Sequence, residues 1–299
     1  MICCIRAYIV ALKIHYNFYF LNILYYRQCE SLIRFTLLFV LKEDIMIIKN
    51  EIPILEFDTE NTAVIMPRHQ NLDLHLPEKA VFAFMCEYVD EYAKEAGGRQ
   101  VGIFESATKD YPIYVINHQG QDVCLVQAPV GAAAATQIMD WLIGYGVKKI
   151  ISGGCCGALK DYAEGEFLIP CRALRDEGTS YHYAPPTRFI ELDKVAVEAI
   201  ESTLREQKLK YEKVTTWSTD GFYRETKEKV LYRKDEGCSV VEMECSALAA
   251  CAKMRNAVFG ELLYTADTLA NIKKYDARNW GINSKEYALR LCLDAVLKL

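Results

Sequence analysis

Short runs rich in β-branched and aromatic residues alternate with stretches of helical periodicity from Glu51 to the end of the chain. Strand-like runs occupy residues 123–128 and 148–152, and helical patterns cover residues 193–207 and 284–297. Strands that are separated by helices usually pair into a parallel or mixed sheet that helices cover on both faces. The alternation therefore predicts an α/β fold, with a single domain in which helices flank both faces of a mixed central β-sheet.

Local patterns predict several individual elements. Residues 62–66 favour a strand that ends at a proline, and residues 77–96 have the apolar spacing of a helix that stops at a pair of glycines. Residues 166–169 favour a strand that is cut by Pro170. No linker, low-complexity run or internal repeat divides residues 46–299, which we therefore expect to form one domain.

Charge and cysteine usage narrow the class of protein. The net charge is −5, and there is no basic patch or arginine-rich run. Nucleic acids and anionic membrane surfaces are therefore poor candidates as partners. The 12 cysteines show no CxxC pair that faces a second one, and most of them lie in apolar runs. This usage favours free thiols in a reducing compartment, so we expect a cytoplasmic protein, and the cysteine spacings make no metal site. We expect no cofactor.

The first 45 residues differ in composition, since they are rich in Tyr, Phe, Ile and Leu and contain no glycine or proline. A membrane span is one interpretation, but Lys13, His15 and two asparagines interrupt the early windows of about 18 residues that a span requires. A signal peptide is another, but no small-residue cleavage site follows. We favour the interpretation that the start codon was assigned too early and that Met46 is the first residue of the protein. If residues 1–45 are translated, a peripheral or single-pass membrane anchor is the alternative.

Two carboxylates separated by one methionine follow a short apolar strand. These residues are Glu242, Met243 and Glu244, and the helical pattern SALAACAKM comes next. A buried carboxylate is costly unless it has a hydrogen-bond or charge partner. Two carboxylates close together at a strand end therefore indicate a ligand. The combination suits a sugar, which has one apolar face and vicinal hydroxyl groups that donate to a carboxylate. The alternative is a solvated helix start, where glutamate is common beside the positive end of the dipole.

Two turns of small residues follow predicted strands. Gly131 opens a helix after Ala128, and backbone N–H groups at such a helix start can bind an anion. Gly153, Gly154 and Gly157 allow the backbone to approach a ligand closely. Tight strand-to-helix packing is the alternative for Gly131. The glycine loop lacks both the P-loop lysine and the GxGxxG spacing, which makes a dinucleotide-dependent oxidoreductase a poor hypothesis.

Two further segments carry candidate ligand contacts. Phe222 and Tyr223 follow a predicted strand and could form a stacking wall for a planar base, or they could be two core rings. Asp267 closes the apolar strand FGELLYTAD, where partial desolvation would raise the pKa of its carboxyl group and make it a proton donor near neutral pH. The alternative for Asp267 is a cap on a short turn.

Together and in this order, these segments resemble the nucleoside phosphorylase/nucleosidase superfamily. The superfamily includes hexameric purine nucleoside phosphorylases, uridine phosphorylases and methylthioadenosine/S-adenosylhomocysteine nucleosidases. The resemblance covers residues 62–297 and is carried by the Glu-Met-Glu element and by the segments SGGCCGAL, DEGTSYHYAP and STDGFY. It implies a phosphorylase-like three-layer fold and cleavage of an N-glycosidic bond. It also implies a homo-oligomer, a dimer or a hexamer, that binds a nucleoside and inorganic phosphate as a co-substrate.

The resemblance also implies a role for each matching residue. Glu244 and Asp267 are the predicted catalytic residues: Glu244 accepts hydrogen bonds from the ribose hydroxyls, and Asp267 protonates or hydrogen-bonds N7 of a purine. The predicted ribose-binding and base-binding residues are Glu242, Met243, Phe222, Tyr223, His182 and Gly154. A purine is favoured over uracil because Asp267 is present and the uridine-specific Gln-x-Arg motif is replaced.

This chain departs from the family at two positions that are expected to bind phosphate. Phosphorylases of this type have an arginine on the strand before the glycine loop, where this chain has Ser152, and the early Gly-Asp-Pro-x-Arg loop is replaced by MPRH. The predicted phosphate-binding residues are therefore Gly131, Ser152, Arg68 and Lys109. Phosphorolysis of a purine nucleoside is the first hypothesis. Hydrolysis by water and non-catalytic nucleoside binding remain open as alternatives.

Overall fold

A mixed sheet of ten strands forms the centre of the computed structural model, which describes residues 47–299. The strands are β1 (Lys79–Ala83), β2 (Arg99–Glu105), β3 (Asp110–His118), β4 (Gln121–Gln127), β5 (Lys149–Ala158), β6 (Phe167–Asp176), β7 (Phe189–Glu191), β8 (Tyr211–Thr219), β9 (Cys238–Glu242) and β10 (Val258–Thr268). The predicted N-terminal extension, residues 1–45, and the predicted domain start at Met46 lie outside the described residues.

Helices connect these strands. They are α1 (Tyr88–Glu95), α2 (Ala132–Gly144), the single turn α3 (Ser180–Tyr183), α4 (Lys194–Glu206), α5 (Lys227–Asp235), α6 (Cys245–Met254) and α7 (Lys285–Leu297). Short 3-10 helices occupy Pro53–Leu55, Phe222–Arg224 and Ile282–Ser284. Within residues 47–299, no helix combines the length and the apolar character that crossing a membrane requires.

The strand pairing closes part of the sheet on itself. Strand β5 pairs in parallel with β1 and β10 and antiparallel with β9. Strands β6 and β8 complete the ring, since β10 pairs with β6, β6 with β8, and β8 with β9. Strands β4, β3 and β2 extend the sheet beyond β1. The ends of β9 and β10 are thereby held close to the second half of β5.

Helices cover both faces of the sheet, and glycines mark where they pack most closely. A Cβ atom at Gly260 would lie 2.6 Å from Ala196 of α4, and one at Gly153 would lie 2.5 Å from the sulfur of Cys292 on α7. Side chains alternate along a strand, so Glu261 points to the opposite face of β10 from Gly260. Helix α6 packs against β10 on that face. The predicted α/β fold, with a mixed central sheet between helices, is confirmed.

Four local predictions were wrong. The predicted glycine turn after residue 152 is absent, because β5 continues through these glycines to Ala158. Residues 62–66 pair with no strand, and the segment is irregular and exposed. Residues 77–96 are not one helix, because β1 takes the apolar run at its start and α1 begins only at Tyr88. Strand β1 is buried between β4 and β5, so its apolar residues need no helical spacing. Strand β6 continues through Pro170, because a register shift there accommodates the missing N–H group.

Candidate active site

A cavity of about 270 Å³ lies where β5, β9 and β10 meet the start of α6, and we call it the proximal cavity. It contains six of the side chains or backbone positions that the sequence predicts as catalytic or substrate-binding: Gly154, Phe222, Glu242, Met243, Glu244 and Asp267. These residues come from four separate segments of the chain. The closed part of the sheet brings them together because β5, β9 and β10 end beside one another.

Glu242 is bound on all sides by the protein. One carboxylate oxygen accepts hydrogen bonds from the hydroxyls of Thr216 (3.0 Å) and Ser218 (2.6 Å). The other accepts from the backbone N–H groups of Glu244 (2.6 Å) and Cys245 (2.7 Å). Burial raises the pKa of Glu242, and these four hydrogen bonds oppose that shift because they favour the charged form. Glu242 therefore fixes the turn that opens α6 and positions the next carboxylate.

Glu244 points its carboxylate across the cavity to the start of α2. One oxygen accepts a hydrogen bond from the backbone N–H of Gly131, and the other accepts from the N–H of Met243 at 3.2 Å. The residue is 7% exposed. Burial raises its pKa to about 8, and the neighbouring charge of Glu242 adds to the shift. A ligand that donates hydrogen bonds or carries positive charge would favour the ionised form of this carboxylate.

A third carboxylate, Glu261 of β10, lines the same cavity. Its Oε1 atom accepts a hydrogen bond of 3.0 Å from the hydroxyl of Ser152 on β5, and its buried Oε2 atom has no partner among the described residues. Burial raises the pKa of Glu261 well above 4.5, and the charge of Glu242 raises it further. Ser152 is fully buried and does not line the cavity itself. The predicted phosphate contact of Ser152 is therefore filled by a carboxyl group.

Asp267 is the penultimate residue of β10 and is 5% exposed. Burial raises the pKa of its carboxyl group, while a hydrogen bond with Tyr275 opposes the shift. A Cβ atom at Gly157 would lie 3.3 Å from Oδ1 of Asp267 and 2.9 Å from Val241, so the glycine leaves room for this carboxylate. Glu225 lines the cavity beside Asp267, and burial raises its pKa to about 7 with a contribution from the Asp267 charge.

A second cavity of about 630 Å³ adjoins the first, and we call it the distal cavity. Both cavities are lined by Phe222, Glu225, Asp267 and Trp280. The rings of Phe222 and Tyr223 meet edge to face with their centroids 5.0 Å apart. Phe222 is half-exposed and borders both cavities, whereas Tyr223 is almost fully exposed and borders only the distal one. Neither ring is part of the buried core.

Two predicted residues, His182 and Arg68, lie away from these cavities. His182 is exposed on the single turn α3. The guanidinium of Arg68 lies 5.5 Å from the ring centroid of Tyr145, which follows the end of α2. Helix α2 begins after Gly131 and has 13 residues, so its two ends are separated by about 20 Å. The structure thus separates Arg68 from Gly131, with which the sequence groups it in a phosphate site.

The remaining predicted phosphate residues have partners within the chain. Lys109 donates a hydrogen bond of 2.6 Å to the side chain of Gln127, at the end of β4, and does not line either cavity. Gly131 adopts a φ of 102°, which favours glycine, and its N–H group is taken by Glu244. Among the residues that the structure describes, these four positions do not converge on one anion site.

Four residues of the site were missed by sequence reasoning: Glu225, Glu261, Trp280 and Lys285. A signal for Glu261 was present, because a lone carboxylate within the apolar run VFGELLY is costly to bury without a function. Glu225, Trp280 and Lys285 lie in irregular segments or at a helix start, where no periodicity indicates which way a side chain points. Across residues 47–299, no group of three or more His, Cys, Asp or Glu side chains is arranged to hold a metal ion.

Solved structures with the same fold include a purine nucleoside phosphorylase from Toxoplasma gondii in complex with immucillin-H. It has a TM-score of 0.65 and 17% identity, covering 75% of this chain and 92% of that one. An AMP nucleosidase from Bacteroides thetaiotaomicron has a TM-score of 0.61 and 25% identity, covering 77% and 91% of the two chains. A uridine phosphorylase from Vibrio fischeri has a TM-score of 0.65 and 21% identity, covering 75% and 93%.

Sequence relatives carry related names. A guanosine phosphorylase from Halorubrum lacusprofundi is 25% identical over 198 residues, which are 64% of this chain and 82% of the relative. A DeoD-type purine nucleoside phosphorylase from Bacillus cytotoxicus is 30% identical over 143 residues, 45% of this chain and 59% of the relative. The family model described as the phosphorylase superfamily matches residues 78–297. The resemblance inferred from the sequence motifs is confirmed, and the chain belongs to the phosphorylase superfamily.

Proposed function

We propose that this protein cleaves the N-glycosidic bond of a purine nucleoside and that water is the acceptor. The observation that carries the proposal is the composition of the proximal cavity. Five carboxyl groups line it, from Glu225, Glu242, Glu244, Glu261 and Asp267, against one amino group from Lys285. Cleavage of a glycosidic bond builds positive charge on the sugar and negative charge on the leaving group, and both can be served by carboxyl groups in different protonation states.

Glu244 is the residue that binds the sugar and stabilises its positive charge in this proposal. Its carboxylate is held by two backbone N–H groups and faces the cavity next to Met243, which offers an apolar surface for the sugar ring. Ribose hydroxyls can donate hydrogen bonds to Glu244, and its charge stabilises the oxocarbenium character that develops at C1′. Glu242 acts through Glu244, because its own oxygens are already occupied by four donors.

The leaving base needs a proton, and Asp267 is the candidate donor. Burial raises the pKa of its carboxyl group, so a larger fraction carries a proton near neutral pH than for an exposed aspartate. Phe222 borders the cavity next to Asp267 and offers a face for stacking of the base. Protonation of purine N7 by Asp267 would neutralise the charge that accumulates on the base as the bond breaks.

The acidic lining favours water over phosphate. A phosphate dianion would enter a cavity that is lined by five carboxyl groups and one amino group, and each carboxyl group that is ionised would repel it. The family arginine that would offset this repulsion is replaced by Ser152, whose hydroxyl is bound to Glu261. The occurrence of an AMP nucleosidase among proteins with the same fold is consistent with a hydrolytic member of the family.

Phosphorolysis is the second candidate. It is favoured by the names of the sequence relatives, a guanosine phosphorylase and purine nucleoside phosphorylases. The start of α2 also lies beside Glu244, so that free N–H groups of its first turn could face an anion. A homo-oligomer in which a neighbour supplies a cation to the cavity would fit this candidate, and the oligomeric state remains a prediction.

The deciding experiment incubates the full chain with adenosine or inosine, with and without inorganic phosphate. Free base and ribose 1-phosphate are both quantified. Base release at the same rate in the absence of phosphate supports hydrolysis. Base release that requires phosphate and yields ribose 1-phosphate would contradict our proposal and support phosphorolysis. Binding of the nucleoside without release would leave a non-catalytic protein. Glu212→Gln is a matched control for Glu244→Gln, because Glu212 is an exposed glutamate outside both cavities.

A further inference from the structure

The distal cavity is larger than a nucleobase requires. Its volume of about 630 Å³ lies in the range of pockets that enclose a drug-sized ligand, and a purine ring is much smaller than such a ligand. Seven of its eleven lining residues are apolar or aromatic: Phe222, Tyr223, Val230, Leu269, Ile272, Tyr275 and Trp280. Transfer of an apolar group from water into an apolar cavity of this size would be favourable.

The position of this cavity relative to the base follows from the shared residues. Asp267 and Phe222 line both cavities, whereas Glu242, Met243 and Glu244 line only the proximal one. A nucleoside with its sugar at Glu244 and N7 at Asp267 therefore directs the N7 edge of its base towards the distal cavity. The substituent on C6 of a purine lies on the same edge as N7. The distal cavity thus begins where that substituent would point.

The chain around Trp280, which lines both cavities, is held in place by hydrogen bonds on either side of the indole. Arg278 donates a hydrogen bond of 2.6 Å to the backbone oxygen of Tyr162, and the N–H of Gly281 donates to Glu164 at 2.9 Å. Trp280 is 49% exposed and adopts a φ of 55°, an unfavourable conformation for a bulky side chain. The anchors on either side of it hold the indole at the boundary of the two cavities.

We propose that the preferred substrates are purine nucleosides with an aryl or branched alkyl group on the C6 amino nitrogen, and that the distal cavity binds this group. The proposal rests on the proposed function, because it takes the placement of sugar and base from it. The apolar wall formed by Val230, Leu269 and Ile272 would contact the substituent, while Phe222 stacks on the base. An unsubstituted purine leaves this wall in contact with water and gains nothing from it.

The test compares kcat/KM for N6-benzyladenosine and for adenosine with the full chain. We expect a preference for the benzyl compound of about 10-fold or more, since each additional apolar group in a fitting pocket contributes at least that factor. Ile272→Trp fills the distal cavity from a half-buried position and should abolish the preference. Ile282→Trp is the matched control, because Ile282 is exposed on the same connection and lies outside the cavity lining. It should retain the preference.

Two results would overturn the inference: equal or lower kcat/KM for the benzyl compound, or a preference that survives in Ile272→Trp. The proposed function fails separately, if neither nucleoside releases its base. In that case the binding of N6-benzyladenine and adenine is measured by titration calorimetry. Tighter binding of the benzyl compound by about 10-fold, lost in Ile272→Trp, would still support the distal cavity as a substituent site. Equal binding of the two bases would reject it.

Discussion

Ser152 and Glu261 face each other across the parallel pair β5–β10, and the serine hydroxyl donates a hydrogen bond of 3.0 Å to the glutamate. Both side chains are at least 98% buried. Ser152 stands where the family resemblance implies an arginine, and its hydroxyl is bound to a carboxyl group. Of the two, Glu261 lines the proximal cavity, so the pair contributes a carboxyl group and no cation to it.

We expect Ser152→Ala to lower the free energy of unfolding by about 1–3 kcal/mol, because it removes the donor to a buried carboxyl group. The double variant Ser152→Ala with Glu261→Leu should lose less free energy of unfolding than the two single variants lose in sum, since neither partner is then left unsatisfied. Urea unfolding of the four proteins gives the coupling energy. Strict additivity would mean that the hydrogen bond contributes nothing to stability.

Glu244→Gln should reduce kcat/KM by about 100-fold or more, because a neutral amide cannot stabilise a cationic sugar. The melting temperature should stay close to that of the parent, since the amide oxygen can still accept from the N–H of Gly131. Glu212→Gln, at an exposed site, should change neither quantity. Turnover of Glu244→Gln near the parent rate would reject the role of Glu244.

Stability should fall as pH rises between the ordinary glutamate pKa of 4.5 and the folded-state pKa of Glu244, about 8. In this window the folded protein binds more protons than the unfolded chain, so deprotonation favours unfolding. The contribution is fully present below the lower value and lost above the higher one. Urea unfolding across this pH range should show a shallower fall for Glu244→Gln than for the parent. An identical pH dependence would contradict the raised pKa.

Asp267→Asn should lower activity on adenosine or inosine by about 100-fold or more, because asparagine keeps the size of the side chain but cannot transfer a proton to the base. A nitrophenyl riboside, whose leaving group needs no proton, should escape most of this loss. The ratio of the two effects on kcat/KM measures the contribution of the proton. Equal losses on both substrates would make Asp267 a structural residue.

Deletion of residues 1–45 should leave a folded and active protein. The reason is that residues 47–299 form one compact unit that contains the whole sheet and both cavities. Circular dichroism, melting temperature and base release are compared with those of the full chain. Aggregation or loss of folding of the truncated chain alone would show that the deleted segment belongs to the core or to an interface.

Local sequence determined the parts of the site that depend on one stretch of chain. Glu242, Met243 and Glu244 come between a buried strand and a helix, so their place at the sheet edge follows from that junction alone. Asp267 ends an apolar strand for the same reason. The alternation of strand and helix patterns likewise predicted the α/β fold, because each pattern reports which face of an element is buried.

The tertiary structure alone decided which distant segments meet. The pairing of Ser152 with Glu261 depends on the register of β5 and β10, and a shift by one residue would turn both side chains to the opposite face. Within one chain the length of α2 separates Arg68 from Gly131, which sequence alone could not show. The distal cavity likewise depends on how the connection around Trp280 returns to Asp267. These arrangements follow from strand register and chain closure, which involve contacts between residues far apart in sequence and leave no periodic signal in either segment.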